Sequence, residues 1–232
     1  MDKLTEALGA LKYFKNYNNW LFSLVSPYLG DNVLEAGCGI GTMSKFLTTK
    51  KRLILLDNSD DYISQLKSDL GKSDNVVILK QDLNDDVSYL KNYAIDTVIC
   101  VNLLEHTADD VKILEKFHSI LRPGSRMIIL VPAIHFLYSA FDRDVGHYRR
   151  YAKKELKNKI TAANFFINDI FYFNALGAIG WFFSFKLLRM KKINEKFLRL
   201  FEKLIFLVRI FEKMFKPPFG MSLIAICEKP LE

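Results

Sequence analysis

Two carboxylates and a glycine-rich turn are spaced in a way that suits a nucleoside. Glu35 ends an apolar run and is followed by Gly37, Gly39 and Gly41. Glycine lets the backbone turn tightly and approach a ligand without a Cβ in the way. Asp57 ends the next apolar run, 22 positions after Glu35, where a carboxylate can accept both hydroxyls of a ribose. A dinucleotide fingerprint would need glycine at position 42, where the chain has threonine, so a pyrophosphate site is disfavoured.

Polar residues also follow the next two apolar runs. Asp82 follows Val76–Leu79, where an acid could reach an adenine amino group, and Asn102 follows Thr97–Val101. The carboxyl ends of parallel strands share one edge of a sheet, so we expect all these groups to line one crevice. Two simpler interpretations stay open: Asp82 as a turn former and Glu35 as a cap of the following segment.

A second group of ionisable and aromatic residues lies in segment 133–152. It comprises Tyr138, Asp142, Asp144, His147, Tyr148, Arg149, Arg150 and Tyr151. Histidine is the usual base near neutral pH, and arginine can bind an oxyanion through two parallel hydrogen bonds. We therefore expect His147 to be a general base and Arg149 or Arg150 to orient an anionic acceptor. The alternative is an internal salt-bridge network that folds this loop.

The other histidines are less informative. His106 follows the fourth predicted strand, close to the expected nucleoside site, and its role is either catalytic or structural. His118 lies within a helical pattern and is expected to be structural or at the surface.

Strands and helices alternate along most of the chain. This alternation predicts an α/β fold with a doubly wound, Rossmann-like sheet of seven strands, mostly parallel with an antiparallel last strand. The predicted strands are Val33–Ala36, Leu53–Leu56, Val76–Leu79, Thr97–Val101, Met127–Val131, Phe166–Phe171 and Met221–Cys227. Helices are expected from Thr42, Asp60 and Asp109 and over Lys153–Ala163, after two opening helices at Thr5–Phe14 and Trp20–Leu29.

We interpret residues 1–232 as a single domain with two additions. Residues 1–30 form an N-terminal helical cap, and residues 175–217 form a helical insertion before the last strand. The insertion repeats large apolar residues at helical spacing, namely Phe197, Phe201, Leu204, Val208, Phe211 and Phe215. The apolar run Ile170–Phe185 is too short to span a bilayer.

The net charge of +7 belongs to this insertion. Ten basic and three acidic residues lie between Trp181 and Pro217. A basic amphipathic helix suits an anionic membrane surface; packing on its own core or on a homodimer partner is the alternative. The basic residues alternate with large apolar ones, which disfavours nucleic acid.

The three cysteines lie far apart and show no zinc-binding spacing, so we expect reduced thiols, no metal site and a cytoplasmic protein. The N-terminal residues lack the apolar region of a signal peptide.

From roughly Asn16 to Pro132 the sequence resembles the class I S-adenosylmethionine-dependent methyltransferases. The resemblance rests on the glycine-rich turn, the acids at 57 and 82, "VNLLEH" at 101–106 and "LRPG" at 121–124. It implies S-adenosylmethionine as cofactor. It also implies a binding site formed by Tyr17, Glu35, Gly37, Cys38, Gly39, Gly41, Asp57, Asn58, Asp82, Leu83, Asn102 and Leu103.

Two later segments, "GHYRRY" at 146–151 and "PFGMSLIAICEK" at 218–229, are similar to a methyltransferase subgroup associated with envelope glycans and lipids. We therefore expect O-methylation of a glycan, lipid-linked or other small anionic acceptor, at the inner face of the membrane. His147 and His106 are the catalytic candidates, and Tyr138, Asp142, Arg149, Arg150 and Tyr151 are the acceptor-binding candidates. Aminopropyl transfer, and a membrane-surface accessory protein that binds the cofactor without turnover, are the alternatives.

Overall fold

A seven-stranded sheet forms the centre of the protein in the computed structural model, which describes residues 3–11, 14–190 and 195–231. The strand order is β3-β2-β1-β4-β5-β7-β6. β7 is antiparallel to both of its neighbours, and all other pairs are parallel. The predicted fold class is thereby confirmed. The strands are β1 (Asn32–Ala36), β2 (Arg52–Asp57), β3 (Val76–Lys80), β4 (Thr97–Val101), β5 (Arg126–Pro132), β6 (Phe166–Phe173) and β7 (Ser222–Glu228).

Helices cover both faces of this sheet. Residues 33–36 of β1 and 53–56 of β2 are completely buried or nearly so, because a parallel sheet covered on both faces needs continuous apolar strands. The helices are α1 (Lys3–Leu11), α2 (Lys15–Val25), α3 (Ser44–Leu47), α4 (Asp60–Leu70), α5 (Asp110–Ile120), α6 (Ala140–Asp144), α7 (Lys153–Ala162), α8 (Ala175–Trp181) and α9 (Glu195–Phe215). A π-helical segment, Phe182–Leu187, continues α8.

Most element boundaries differ little from the predicted ones. The helix expected from Thr42 is a single turn that begins at Ser44, after the glycine-rich turn. The predicted opening helix Thr5–Phe14 includes residues 12–13, which lie outside the described residues, as do positions 191–194 of the predicted insertion.

The strand order reverses between β1 and β4. Helices that follow these two strands cover opposite faces, so a crevice opens beyond their carboxyl ends. The glycine-rich turn follows β1, and Asn102 follows β4. The topology therefore brings the predicted nucleoside-binding residues to one place.

Two carboxylates attach α9 to the rest of the protein. The Glu202 carboxylate accepts hydrogen bonds from the backbone amides of Asn16 (2.9 Å) and Tyr17 (3.0 Å) at the start of α2. Glu212 accepts from the amides of Asn174 (3.0 Å) and Ala175 (2.6 Å) at the start of α8. Free amides and the helix dipole favour negative charge at helix N-termini, so these acids fix how α9 lies.

The face of α9 that packs inward differs from the predicted stripe. Val208 of the stripe is buried, as is Ile205 outside it, whereas Phe211 and Phe215 of the stripe are exposed. The side chain of Phe197 lies outside the described residues. The predicted apolar face was therefore partly wrong, and the inward side of the helix also carries Glu202 and Glu212, which bond to the starts of α2 and α8. No helix among the described residues is long and apolar enough to cross a membrane.

Candidate functional site

The glycine-rich turn is tied to the second strand through Asp57. The Gly39 amide donates to Asp57 Oδ2 (2.8 Å), and the Ser59 amide donates to Asp57 Oδ1 (3.0 Å). Gly37 has φ +69°, and a Cβ there would lie 2.8 Å from Leu103. The turn therefore needs glycine at this position, and its shape depends on the carboxylate.

Two predicted cofactor residues have a packing role beside this turn. Gly41 faces α4, and a Cβ on it would lie 2.7 Å from Leu66 of that helix. Glu35 is buried and accepts a hydrogen bond from the Ser44 hydroxyl (2.6 Å). Burial, opposed by that hydrogen bond and reinforced by Asp57, raises the pKa of Glu35 to about 8. Glu35 is therefore protonated near neutral pH and supports the turn from below.

The residues after β3 and β4 complete this edge. Asp82 is exposed and accepts from the Asn84 amide (2.8 Å) through its Oδ1. Asn102 has φ +50° and is held by its own amide, which donates to the Leu130 carbonyl (2.9 Å). Both line the same cavity as Asp57. The predicted convergence on one crevice is what the structure shows.

A cavity of about 1040 Å³ extends from the glycine-rich turn to the loop after β5. The predicted residues that line it are Tyr17, Glu35, Gly37, Cys38, Gly39, Asp57, Asn58, Asp82, Leu83, Asn102, Leu103, His106, His147 and Arg150. Five predicted residues do not line it: Gly41, Tyr138, Asp142, Arg149 and Tyr151. The cavity thus brings together nearly all of the predicted cofactor-binding residues. Most of the predicted acceptor-binding residues do not line it.

Asp142 organises the loop after β5 from the inside. Its carboxylate accepts from the Arg150 Nε–H (2.8 Å) and the Ser139 hydroxyl (2.8 Å), and it lies 3.1 Å from His147 Nδ1. The Arg150 guanidinium also lies over the Trp181 ring, 4.7 Å from its centroid. Burial opposes ionisation, but hydrogen bonds from His147 and Ser139 and the charge of Arg150 hold the pKa of Asp142 below its usual range.

A second buried acid holds the rest of this loop. Asp110, at the start of α5, accepts from Arg149 (3.0 Å), the Tyr151 hydroxyl (2.7 Å) and Lys159 (2.7 Å). The Tyr138 hydroxyl donates to the His147 carbonyl (2.8 Å).

These contacts show what the predicted acceptor-binding residues touch within the protein. The polar groups of Asp142, Arg150 and Tyr151 are buried and bonded to protein partners. The Tyr138 hydroxyl is bonded within the loop, whereas Arg149 is bonded to Asp110 and the Ala108 carbonyl at the start of α5. An ion-pair and hydrogen-bond network therefore holds this loop, and it includes Asp110 of α5 and Lys159 of α7. His147 remains at the cavity.

His106 and Glu105 lie beside His147. The two imidazole rings meet edge to face with centroids 4.6 Å apart. Burial, together with the neighbouring His147, lowers the pKa of His106 to about 4. Glu105 is fully buried, and burial raises its pKa to about 8. Sequence reasoning missed Glu105, although it stands next to His106 in the motif that follows β4.

Residues 33–124 match the family model described as a methyltransferase domain. The matched segment begins with β1, contains the glycine-rich turn and Asp57, and continues past β4 and α5. The resemblance to the class I S-adenosylmethionine-dependent methyltransferases is thereby confirmed over this segment. S-Adenosylmethionine is the cofactor of this class.

Solved structures share the fold of this methyltransferase domain. A chain of the complex between the Haloferax volcanii Trm112 methyltransferase activator and a methyltransferase superposes with a TM-score of 0.67 at 16% identity, over 99% of this chain and 95% of that one. A S-adenosylmethionine-dependent methyltransferase from Archaeoglobus fulgidus gives 0.59 at 22% identity, over 91% and 94%. The [4+2]-cyclase SpnF gives 0.61 at 17% identity, over 91% and 81%. These likenesses concern the fold.

A curated relative is the 37.1 kDa protein of transposon TN4556 from Streptomyces fradiae. It is 25% identical over 123 residues, or 51% of this chain. The chain spans about a third of that relative's length, 35%.

Part of the cavity wall is apolar. This part comes from α8, the π-helical segment with the residue after it, and α9, through Trp181, Phe183, Phe185, Leu188, Phe201 and Leu204. Sequence analysis assigned these residues to an insertion but not to the site. The signal available was the density of large apolar residues in a segment that comes shortly before β7.

Proposed function

We propose that this methyltransferase transfers a methyl group to a hydroxyl oxygen of an acceptor bound beside His147. The observation that carries the proposal is the single cavity that joins Asp57 and the glycine-rich turn to the two histidines. A methyl donor at one end and an acceptor at the other would then share one enclosed space, as alignment of two reactants requires.

The residues at the sheet edge fit the cofactor. Asp57 would accept the ribose hydroxyls, Asp82 would face the adenine, and the positive φ of Gly37 and Gly39 leaves backbone where side chains would otherwise fill the turn. S-Adenosylmethionine, when bound, supplies an electrophilic methyl group. The chain's own task is to hold and expose the acceptor oxygen.

His147 is the group proposed to accept the hydroxyl proton. Its Nδ1 lies 3.1 Å from Asp142, which orients the ring, and its Nε2, 4.0 Å from Glu105 Oε1, is the nitrogen that would take the proton. Asp142 is in turn held by Arg150 and Ser139. A carboxylate that orients an imidazole is a frequent arrangement for a general base.

The apolar walls support an acceptor with an apolar portion. Trp181, Phe185 and Leu204 line the cavity, and the Trp181 ring lies against the Arg150 guanidinium, whose partner Asp142 also contacts His147. A lipid-linked glycan or another amphiphilic alcohol would place its hydroxyl beside His147 and its apolar part against these apolar side chains.

Transfer of label tests the proposed reaction. The full chain is incubated with methyl-labelled S-adenosylmethionine and an envelope extract, and the label is followed into base-stable, organic-soluble product. We expect transfer by the native chain and a roughly hundredfold or larger loss in His147→Ala, because a general base contributes about 10²–10⁴ in rate.

His118→Ala is the matched control for this experiment, since His118 lies on α5 outside the cavity. It should retain native turnover, and His147→Ala should retain affinity for S-adenosylhomocysteine. Native turnover in His147→Ala would remove the proposed base. Cofactor binding with no transfer to any fraction would favour the accessory protein.

The outward face of α9 supports attachment to an anionic membrane surface. Phe206 is 69% exposed and Met214 is 70% exposed, and Lys203, Arg209 and Lys213 lie on the same helix. Apolar burial and attraction to anionic headgroups act together on such a helix. Flotation with anionic vesicles at low salt tests this location; protein that stays at the bottom of the gradient would count against it.

A further inference from the structure

Three potential ligand side chains meet in the wall of the cavity. Glu105 and His106 follow β4, and His147 lies in the loop after β5. One ligand atom from each of the three lies within 4.8 Å of the others. The described residues thus include two imidazoles and a carboxylate grouped at the acceptor end of the site.

The Glu105 carboxylate lacks the partners that other buried acids have. Both of its oxygens are inaccessible, and among the described residues neither has a hydrogen-bond partner outside Glu105 itself. Asp110 and Asp142, which are equally buried, each accept several hydrogen bonds from neighbouring side chains. A buried carboxyl group whose oxygens have no hydrogen-bond partner is costly, and a bound cation would satisfy both oxygens.

Both histidines present the arrangement of metal ligands. His147 Nδ1 is engaged by Asp142 at 3.1 Å, and Nε2 lies 4.0 Å from Glu105 Oε1. The His106 ring is hydrogen-bonded to the backbone of Gly146. A histidine that binds a metal usually donates its other ring N–H to a carboxylate or a backbone carbonyl, which fixes the tautomer.

We propose that Glu105, His106 and His147 bind a divalent transition-metal ion. Two imidazoles and one carboxylate form a donor set used for Zn²⁺, Mn²⁺ and Fe²⁺. Ligand atoms about 2.1 Å from one ion lie about 3.4 Å apart in a tetrahedral site, so side chains whose ligand atoms lie within 4.8 Å of one another would move closer by about an ångström when the ion binds. The remaining coordination positions face the cavity, which the two histidines line.

The use of this ion rests on the proposed function and refines it. A bound cation lowers the pKa of a hydroxyl that coordinates it, so an acceptor oxygen would be held and activated beside the cofactor edge. His147 would then be a metal ligand through the Nε2 lone pair instead of the proton acceptor, and the hydroxyl proton would leave to solvent. Asp142 and Arg150 would orient the ligand histidine.

Calorimetric titration of the chelator-treated full chain with Zn²⁺ and with Mn²⁺ tests the site. We expect one equivalent to bind at micromolar or lower concentration, with at least tenfold weaker binding in His106→Ala and in His147→Ala. His135→Ala is the matched control, because His135 is an exposed histidine paired with Glu155 away from the cavity. It should bind the ion as the native chain does.

Thermal unfolding gives a second test of the metal site, which still holds if one of the histidine variants folds poorly. In EDTA, Glu105→Gln should melt at or above the native temperature, because it removes an unpaired buried carboxylate. Added metal should raise the melting temperature of the native chain but not of Glu105→Gln.

Three outcomes would overturn the inference: no stoichiometric binding to the native chain, equal weakening in His135→Ala, or a metal-induced rise retained in Glu105→Gln. Titration of the same sample with S-adenosylhomocysteine separates this inference from the proposed function. Nucleoside binding without metal binding removes the metal site alone, whereas metal binding without nucleoside binding supports the metal site and removes the proposed reaction.

Discussion

Asp57→Ala is expected to weaken the binding of S-adenosylhomocysteine by about a hundredfold or more. The Asp57 carboxylate accepts the Gly39 and Ser59 amides and lines the cavity. Hydrogen bonds to a charged group contribute about 1.5–3 kcal/mol each, and the variant loses the contacts that shape the turn as well as the proposed ribose acceptor. Calorimetric titration of the purified chain measures the effect directly.

Asp60→Ala is the matched control for this experiment. Asp60 lies three positions later, at the start of α4, and its exposed carboxylate pairs with Lys80 (2.6 Å) outside the cavity. It should bind with native affinity, and circular dichroism should show both variants folded. If Asp57→Ala bound S-adenosylhomocysteine within a few-fold of the native affinity, the proposed role of Asp57 in cofactor binding would be contradicted.

The cofactor-binding residues at the carboxyl ends of the strands could be predicted from the sequence, because the order of strands in the sheet determines where these residues lie. Buried parallel strands read as continuous apolar runs, and β4 lies at Thr97–Val101 as predicted. Once the strands are placed, Asp57 and Asn102 follow from their position at strand ends. Placing these residues required no knowledge of contacts between distant side chains.

The loop after β5 could not be predicted in the same way. Its residue types served a binding site and an internal network equally well, and only tertiary packing decides between them. Asp110 comes from α5 and Lys159 from α7, so the partners of Arg149 and Tyr151 lie about forty positions away or on another helix. Local sequence shows charges, not which of them become buried together.

Glu105 shows the same limit at the site itself. Its neighbour His106 was singled out by position, but burial of the glutamate depends on how the segment after β4 turns. The segment Leu104–His106 forms one 3₁₀ turn, which buries Glu105 and leaves His106 at the cavity. A site composed of residues 105, 106 and 147 has no sequence spacing by which it could be recognised.

The fold alone does not determine the reaction. The likeness to SpnF, described as a [4+2]-cyclase, shows that this architecture accommodates other chemistry. What argues for transfer to oxygen here is local: an oriented histidine, a buried carboxylate and an apolar pocket in one cavity. Substitutions around His147, where the acceptor is proposed to bind, therefore test the reaction most directly.

Asp142→Asn is expected to lower the free energy of unfolding by about 3–5 kcal/mol. Asp142 and Arg150 are 0% and 1% exposed, and the substitution leaves the guanidinium buried without a counter-charge. For a chain of this size the loss corresponds to a decrease in Tm of roughly 6–20 °C. Denaturant unfolding of the full chain in EDTA measures this loss. Asp144→Asn is the matched control, because the Asp144 carboxylate pairs with Lys3 at the surface. This control variant should change the free energy of unfolding by about 1 kcal/mol or less.

The double variant Asp142→Asn/Arg150→Met separates a buried ion pair from simple packing. Arg150 also contacts the Ala133 carbonyl and the Trp181 ring, so Arg150→Met alone should destabilise the protein by leaving the Asp142 carboxylate with only Ser139 and His147. With both charges removed, neither buried ion is left uncompensated, and the combined loss should be clearly smaller than the sum of the single losses. Additive losses would mean that each side chain acts through its own packing, and the loop would then hold His147 in place without the pair.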